Sequence, residues 1–415
     1  MYQAIIARIK VRPHPNADRI QLADVCGTTV VVGLDQKDGD LGVYFPSDGV
    51  LSHDFCVANH LYNKSARQKL GLGDGPTGFF DHHRRVRTQG FRGQKSDGFW
   101  LPLACLDYLH AIDYVLVEGQ MFDTINGQLV CEKWTTRKPG AAGSVGHRNG
   151  RKGELRAFPK HQDTDQWDYY WKDIPLGSLL TITEKLHGTS HRVGLVKTPK
   201  AWWQFWKPNY QLVHGSRNVV LTEHSGRTSF YGSDEFRYKA VGNPALRKGE
   251  VLYGEIVGFT GPGQPIMPSH TVDQKELPTV AKAYGSTVSY EYGQPDGHAE
   301  FVVYRIVQFN EDGDGVELSH PQVVRRAQQL GYQVVPTHEV ILHDGAASDQ
   351  LVNILIGEIY TSSVFAVGQM AEGVVIRVDT PDGHTRFLKK KSYAFKLMEG
   401  IIKSTDTYED IEENA

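Results

Sequence analysis

The sequence predicts an α+β protein. A small N-terminal β-barrel over residues 1–132 is followed by a basic, Gly-rich linker over 133–160 and a larger domain of antiparallel sheets with helices over 161–415. Three observations predict it. Short apolar runs, Ala4-Ile-Ile-Ala7, Thr29-Val-Val-Val-Gly33 and Leu41-Gly-Val-Tyr-Phe45, alternate with turn residues such as Gln36-Lys-Asp-Gly-Asp40, the rhythm of a small barrel. The stretch Arg137-Lys-Pro-Gly-Ala-Ala-Gly-Ser-Val-Gly-His-Arg-Asn-Gly-Arg-Lys-Gly153 carries too little apolar surface to fold by itself. At 415 residues the chain exceeds the usual single domain, so two domains are the default.

An apolar content of 40% suffices for ordinary cores, and a net charge of −3 gives no global sign of a nucleic-acid partner, so any basic footprint is local. No stretch reaches the ~18 apolar residues that span a bilayer, and the start Met1-Tyr-Gln-Ala-Ile-Ile-Ala-Arg8 lacks the pattern of a secretory leader. No membrane partner and a cytoplasmic location are expected. Cys26, Cys56, Cys105 and Cys131 are too scattered for a zinc site and read as reduced, buried thiols. His82-His83 reads as a loop feature rather than a metal site.

In chain order, the first local basic footprint is Arg85-Val-Arg-Thr-Gln-Gly-Phe-Arg-Gly-Gln-Lys-Ser-Asp-Gly98. Arg85, Arg87, Arg92 and Lys95 are candidates for phosphate contacts, against the plain reading of a solvated hairpin. Structure resumes near Phe158-Pro-Lys-His-Gln-Asp-Thr-Asp165. Thr181-Ile-Thr-Glu-Lys-Leu-His-Gly-Thr-Ser190 then presents Lys185 at a strand end beside a glycine turn. A lysine attacks phosphorus only as the free amine, which burial or nearby positive charge favours. Lys389 and Lys391, in Phe387-Leu-Lys-Lys-Lys391, supply such charge: spaced by two on a predicted strand, they share a face and converge on one phosphate, with Lys390 turned away.

Between these lysines, Trp202-Trp-Gln-Phe-Trp206 reads as a hairpin tip packed on its own domain, or else as a platform for a base. Glu255 in Val251-Leu-Tyr-Gly-Glu255 and Glu372 in Glu372-Gly-Val-Val-Ile-Arg377 sit beside glycines on strand-like runs, a rigid mounting that suits a hard divalent cation. Asp296-Gly297 marks a turn between the strand-like stretches Thr287-Val-Ser-Tyr-Glu-Tyr292 and Glu300-Phe-Val-Val-Tyr304. Ser392-Tyr-Ala-Phe-Lys-Leu-Met-Glu399 reads as a closing helix, and Asp406 to Ala415 as a frayed end.

Each piece alone has a bland explanation: a turn at Lys185, a strand-edge charge at Glu372, a solvated face at 389–391, a surface arginine at Arg217. Their order is what points to one site. Lys185, His214-Gly-Ser-Arg217, Glu255, Phe301-Val-Val-Tyr304, Glu372 and Lys389 to Lys391 follow one another as do the motifs of the covalent nucleotidyltransferases. That superfamily comprises ATP-dependent RNA and DNA ligases and mRNA capping enzymes, and the series resembles the RNA ligases most. The resemblance implies a nucleotidyltransferase domain of ATP-grasp-like antiparallel sheets with helices. It also implies ATP as AMP donor, Mg2+ or Mn2+ as cofactor, and three steps: Lys185 takes AMP, the AMP passes to a 5'-phosphate, and a 3'-hydroxyl displaces it.

It further implies roles. Lys389 and Lys391 hold the α-phosphate, Glu372 binds the metal, Glu255 contacts ribose or the metal shell, and Arg217 contacts ribose or the acceptor phosphate. Tyr304 stacks on adenine, with Phe301 the alternative. Glu184 borders the nucleotide, and His187 assists a later step. The chain departs from the pattern at Ser190, where Asn is usual, and at Arg305, where an acid commonly follows the aromatic.

Pro13-His-Pro-Asn-Ala-Asp-Arg19 with Leu22-Ala-Asp-Val25 resembles OB-fold tRNA-binding modules and, over more of the chain, the N-terminal OB domain of the Deinococcus and Naegleria type of RNA ligase. Residues 392–415 are too few for the OB domain that DNA ligases and capping enzymes place there. An RNA ligase acting as a monomer on RNA or a nicked RNA-containing duplex, with RNA on the 3'-hydroxyl side, is therefore expected. The alternatives are a DNA ligase, a capping-type guanylyltransferase, or a non-catalytic tRNA- or RNA-binding protein.

Overall fold

A computed structural model describes residues 2–109, 116–134, 155, 157–162, 164–198, 209–221, 231–275, 277–345 and 362–402. The mixed α+β class holds, with many strands and few helices. The chain divides into two compact units, Met1–Thr136 with Lys396–Asp406, and Arg137–Phe395 with Thr407–Ala415.

In the first unit, Ala4–Arg8 pairs antiparallel with Met121–Phe122 and Leu41–Phe45, and Leu41–Phe45 pairs with Phe99–Pro102. Lys10–Pro13, Ile20–Val25 and Thr28–Gly33 form a second antiparallel sheet, and Thr88–Phe91 with Gln94–Asp97 a hairpin. Alternate residues of the first sheet, among them Ile6, Val43 and Phe45, build one core with Leu51 and Phe55. Two short helices, His53–Ala58 and Lys64–Lys69, are started by Ser52 and Asn63, whose side chains accept from the N–H groups of Phe55 and Ala66. Among the described residues no ladder closes on itself, so the strand pairing does not by itself establish the closed OB-type barrel expected from the sequence. Between Thr28–Gly33 and the hairpin, the link is a side chain: Val31 N–H donates to Ser96 Oγ at 3.1 Å.

The second unit is built on two sheets. One runs in the order Asp165–Gln166, Thr385–Lys391, Gly373–Asp379, Leu179–Lys185, Thr337–Leu342, with Ile182, Val374, Ile376 and Leu388 buried on one face against Trp167. The other has the path Val220–Leu221, Tyr210–Gly215, Thr189–Lys197, Glu250–Gly261, Ala299–Phe309, Gly315–Glu317. The chain crosses from the first sheet to the second at Leu186-His187-Gly188. A Cβ on Gly188 would stand 2.4 Å from the Ile256 carbonyl oxygen, so only glycine fits the crossing.

Both ends of the expected linker belong to folded units. Cys131–Lys133 pairs with Gly49–Leu51, while Ala157 and Phe158 are buried at 6% and 1% exposure beside Val196, Val251 and Tyr253. The Gly-rich run masks this apolar pair when composition is averaged; residues 135–154 lie outside the described residues, as do Trp202–Trp206 and Asp406–Ala415. Asp296-Gly297 is a turn, as expected, but the stretches on either side of it do not pair with each other. Thr287–Val288 pairs with His270–Thr271, and Ala299–Phe309 pairs with Glu250–Gly261. None of the four cysteines is in a disulfide; Cys56, Cys105 and Cys131 are buried as expected, whereas Cys26 is half-buried. No described helix is long and apolar enough to cross a membrane.

Candidate active site

Lys185 ends its strand, and register carries it across two neighbours: Lys185 pairs with Gly373, and Gly373 with Lys391. Glu372 stands at the centre of this row with no exposed surface. Its Oε2 accepts from Lys185 Nζ at 2.8 Å and lies 3.4 Å from His187 Nδ1, and its Oε1 lies 3.3 Å from Lys391 Nζ. A buried carboxylate needs such partners, since charge taken from water unpaired costs several kcal/mol. A Cβ on Gly373 would stand 2.2 Å from the Lys390 carbonyl oxygen, so glycine lets the strands close.

The next row on this face is Thr183, Val375 and Lys389, followed by Thr181, Arg377 and Phe387. Lys389 and Lys185 line one cleft with Glu255, Arg217 and Tyr304. Lys390, turned to the opposite face by strand alternation, pairs with Asp168.

The second sheet supplies the far wall. Glu255 is 8% exposed and its Oε2 accepts from Ser190 Oγ at 3.3 Å. The Arg217 turn is fixed by Arg192, whose Nη1 donates to the carbonyls of Ser216 at 2.6 Å and Arg217 at 2.8 Å. Tyr304 lies in a β-bulge. Tyr253 pairs with Arg305 and Gly254 with Val303, which leaves Tyr304 without a register partner and turns both Tyr304 and Arg305 to the cleft. Among the described residues the buried Tyr304 hydroxyl has no hydrogen-bond partner. Burial, reinforced by the Glu255 carboxylate, pushes this phenol well above its usual range, with Arg217 and Arg305 opposing.

Several expected residues sit elsewhere. Glu184 borders the cleft, but its carboxylate alternates away from Lys185 and accepts from Ser363 Oγ at 2.5 Å and from the N–H groups of Val364 and Phe365 at 2.8 and 3.0 Å, capping a turn. His187 meets Glu372 from outside the cleft, its ring packed on Tyr290, Phe395 and His270 at centroid distances of 4.8, 4.9 and 5.6 Å. Phe301 does not line the cleft but packs edge-on against Tyr332 and His191. In the N-terminal unit Arg85 is 5% exposed and paired with Asp48 at 2.7 Å, which removes it from phosphate contact. Arg87 is half-buried beside Asp81, Lys95 is half-buried, and Arg92 is exposed.

The sequence reading missed His161, Arg305, Arg377 and Phe387, which also line the cleft. Arg305 Nε donates to both oxygens of Glu317 at 2.9 Å, and its guanidinium lies over the Tyr253 and Phe387 rings at 4.9 and 5.5 Å. The His161 ring meets Tyr304 edge-on at 5.7 Å. Alternation at Phe387 and Lys389 could have found the former; the bulge that exposes Arg305 has no sequence signal.

The sequence profile of the RNA ligase family matches residues 179–397, from the start of the Lys185 strand to beyond Lys391. The chain belongs to the RNA ligase family. No curated protein sequence matches it. Among solved structures, this RNA ligase chain is similar to the RNA ligase of Naegleria gruberi. A lysine-to-alanine variant of that enzyme with ATP and Mn aligns at 18% identity and a TM-score of 0.56, over 95% of this chain and 98% of that one. The same ligase with pyrophosphate aligns at 18% identity and 0.55, over 94% and 97%, and a lysine-to-methionine variant with AMP and Mn at 18% and 0.54, over 95% and 97%. At such identity the likeness shows that this RNA ligase shares their fold.

Proposed function

We propose that this RNA ligase is ATP-dependent and joins 3'-hydroxyl to 5'-phosphate ends through a lysyl-AMP intermediate, sealing nicks whose 3'-hydroxyl strand ends in RNA. The observation that carries the reading is that Lys185 and Lys389 line one cleft with Glu255 and Arg217, while the buried Glu372 ties Lys185 to Lys391 behind it. The Naegleria ligase structures with ATP, AMP and pyrophosphate support it as relatives of the same fold.

In the first step the Lys185 amine bonds to the α-phosphorus, the bond to the pyrophosphate oxygen breaks, and one proton leaves the nitrogen. Lys389 and Lys391 neutralise the phosphate charge, which makes the transfer a matter of positioning and electrostatics. Glu372 holds the lysine end in place before ATP arrives. Arg217 and the Tyr304 hydroxyl face the nucleotide from the second sheet, while Val375 and Phe387 give apolar surface to the base. AMP then moves to a 5'-phosphate and leaves when a 3'-hydroxyl attacks. His187, touching Glu372, is placed to adjust that carboxylate between steps.

The described residues contain no cluster of three or more metal-ligating side chains. They do fit an ion of the Mg2+ or Mn2+ kind, which takes one or two carboxylates and completes its shell with phosphate and water. Glu372 and Glu255 would hold it, and when bound it neutralises phosphate charge. The N-terminal unit, read as an OB-type module, grips RNA.

The test is to incubate the protein with ATP labelled at the α-phosphate and a divalent ion, with Lys185→Ala alongside, and to look for label on the denatured protein. Label on the wild type alone supports the reading. An unlabelled wild type, after removal of resident AMP with pyrophosphate, would sink it.

A further inference from the structure

The segment Pro13 to Arg19 and the basic hairpin take no part in the nucleotide site, yet the N-terminal unit fastens them to each other. His14 Nδ1 accepts from Asn16 N–H at 3.1 Å, so Nε2 carries the hydrogen and donates to the Phe91 carbonyl at 3.0 Å. Asn16 Nδ2 donates to the Arg92 carbonyl at 2.8 Å, and Arg92 Nη1 returns a bond to the Asn16 carbonyl at 3.3 Å. The hairpin tip is thereby held, and with it Phe91 at the edge of a cavity of about 450 Å³.

That cavity has the makeup of a ligand site rather than a packing fault. Its volume lies within the roughly 300–1,000 Å³ of small-ligand pockets, its walls include Phe80, Phe99 and Val31, and Arg87, Gln89 and Gln36 bring polar groups to it. Phe79, also lining it, is 50% exposed, 5.8 Å from Phe91 and 5.7 Å from Phe80 between ring centroids. Arg92 adds an independent observation. It sits at φ 47° in a two-residue turn with Gly93, a place that favours Asn or Gly. A long cation in that conformation, held there despite its cost, points to a use for the charge.

We infer that this cavity receives one unpaired base of an RNA strand, stacked on Phe79 with Phe91 as the adjoining wall, and with Arg87 and Arg92 meeting the neighbouring phosphates. A duplex hides the base faces that such rings would bind, whereas a single strand offers them. The inference rests on the RNA ligase reading and adds to it a recognition site for a base outside the nucleotide cleft.

The test uses the full chain and single-stranded RNA of roughly 16 nucleotides, the upper span of one small OB module, with a fluorescent purine analogue moved along it. One position should lose fluorescence on binding as its base stacks. Phe79→Ala should weaken affinity roughly 5- to 100-fold, remove that quench and leave self-adenylylation by ATP unchanged, while Phe79→Tyr should retain both affinity and quench. RNA made abasic at the quenched position should lose as much as Phe79→Ala does, and the two losses should not add. Wild-type affinity in Phe79→Ala, or fully additive losses, overturns the base site while the ligase reading stands on the adenylylation arm. A wild type that neither binds RNA nor takes label removes the reading beneath the inference, and the inference with it.

Discussion

Lys185 Nζ lies 2.8 Å from Glu372 Oε2, although 187 positions separate the two residues. The pairing follows from antiparallel register, in which Lys185 faces Gly373 and Thr183 faces Val375. Because Glu372 also meets Lys391 and His187, the two partners of this ion pair are not equivalent. Lys185→Ala leaves the carboxylate compensated and should abolish adenylylation while costing little stability. Glu372→Gln removes the buried charge that both Lys185 and Lys391 meet and should cost about 3 kcal/mol as well as activity. Comparing thermal midpoints of the two variants checks this, and equal losses would contradict it.

Gly373→Ala should damage the site through the backbone. Its Cβ would press on the Lys390 carbonyl oxygen and the Lys391 Cα, so the lysine strand must move. Adenylylation should fall by at least about tenfold, the size expected of a catalytic group displaced by a fraction of an ångström to an ångström. A fully active Gly373→Ala protein would show that the lysine strand need not hold this register.

Tyr304→Phe separates folding from binding. Removing a buried hydroxyl that lacks a partner among the described residues should leave the melting temperature equal or higher, since such a group costs about 1–3 kcal/mol. If the hydroxyl meets the nucleotide, the ATP concentration for half-maximal labelling should rise several-fold. A variant less stable than wild type, with unchanged ATP dependence, would place the hydroxyl in a structural bond instead.

Arg85 and Arg92 should part company. Arg85→Ala breaks a pair with Asp48 and packing over Trp134 and should lower stability. Arg92→Ala should leave stability nearly unchanged but weaken RNA binding and flatten its salt dependence by about one phosphate contact. Measuring affinity against salt concentration for both variants distinguishes them.

Acid should destabilise the second unit through His191 and His214, whose rings touch at 3.2 Å. Burial lowers the His214 imidazole to about 4, and burial followed by Arg237, His214 and Arg192 lowers His191 well below its ordinary value. The unfolded chain therefore binds more protons than the folded one below about pH 6.5. Stability present at pH 7 is lost as pH falls from there toward 4, by about 2 kcal/mol at pH 5 for His214 alone. Thermal melts across this range should show a shallower loss in His214→Gln than in wild type.

Much of the site could be read from the chain because strands obey a period of two. That rule put Lys389 and Lys391 on one face and Lys390 on the other, as the register has them. The same rule failed where the ladder is irregular. At Tyr304 the bulge turns two successive side chains into the cleft, so Arg305 was invisible as a lining residue. Burial was illegible for another reason: Arg85 looks like its neighbours in a basic hairpin, and only the tertiary partner Asp48 marks it as structural. In the N-terminal unit the short apolar runs announced strands, but which backbones would pair depended on contacts distant in sequence. Ala157 and Phe158 are buried where structure was expected to resume, inside the 133–160 bounds of the linker.

The turn that Glu184 caps belongs to the stretch leading into Glu372, so residues 184 and 185 each fasten a different part of one later segment. Neither attachment can be completed while that segment is away. Lys185 and its carboxylate partner thus meet only when that segment docks, and a chain caught before this docking would carry the lysine without Glu372 to hold it.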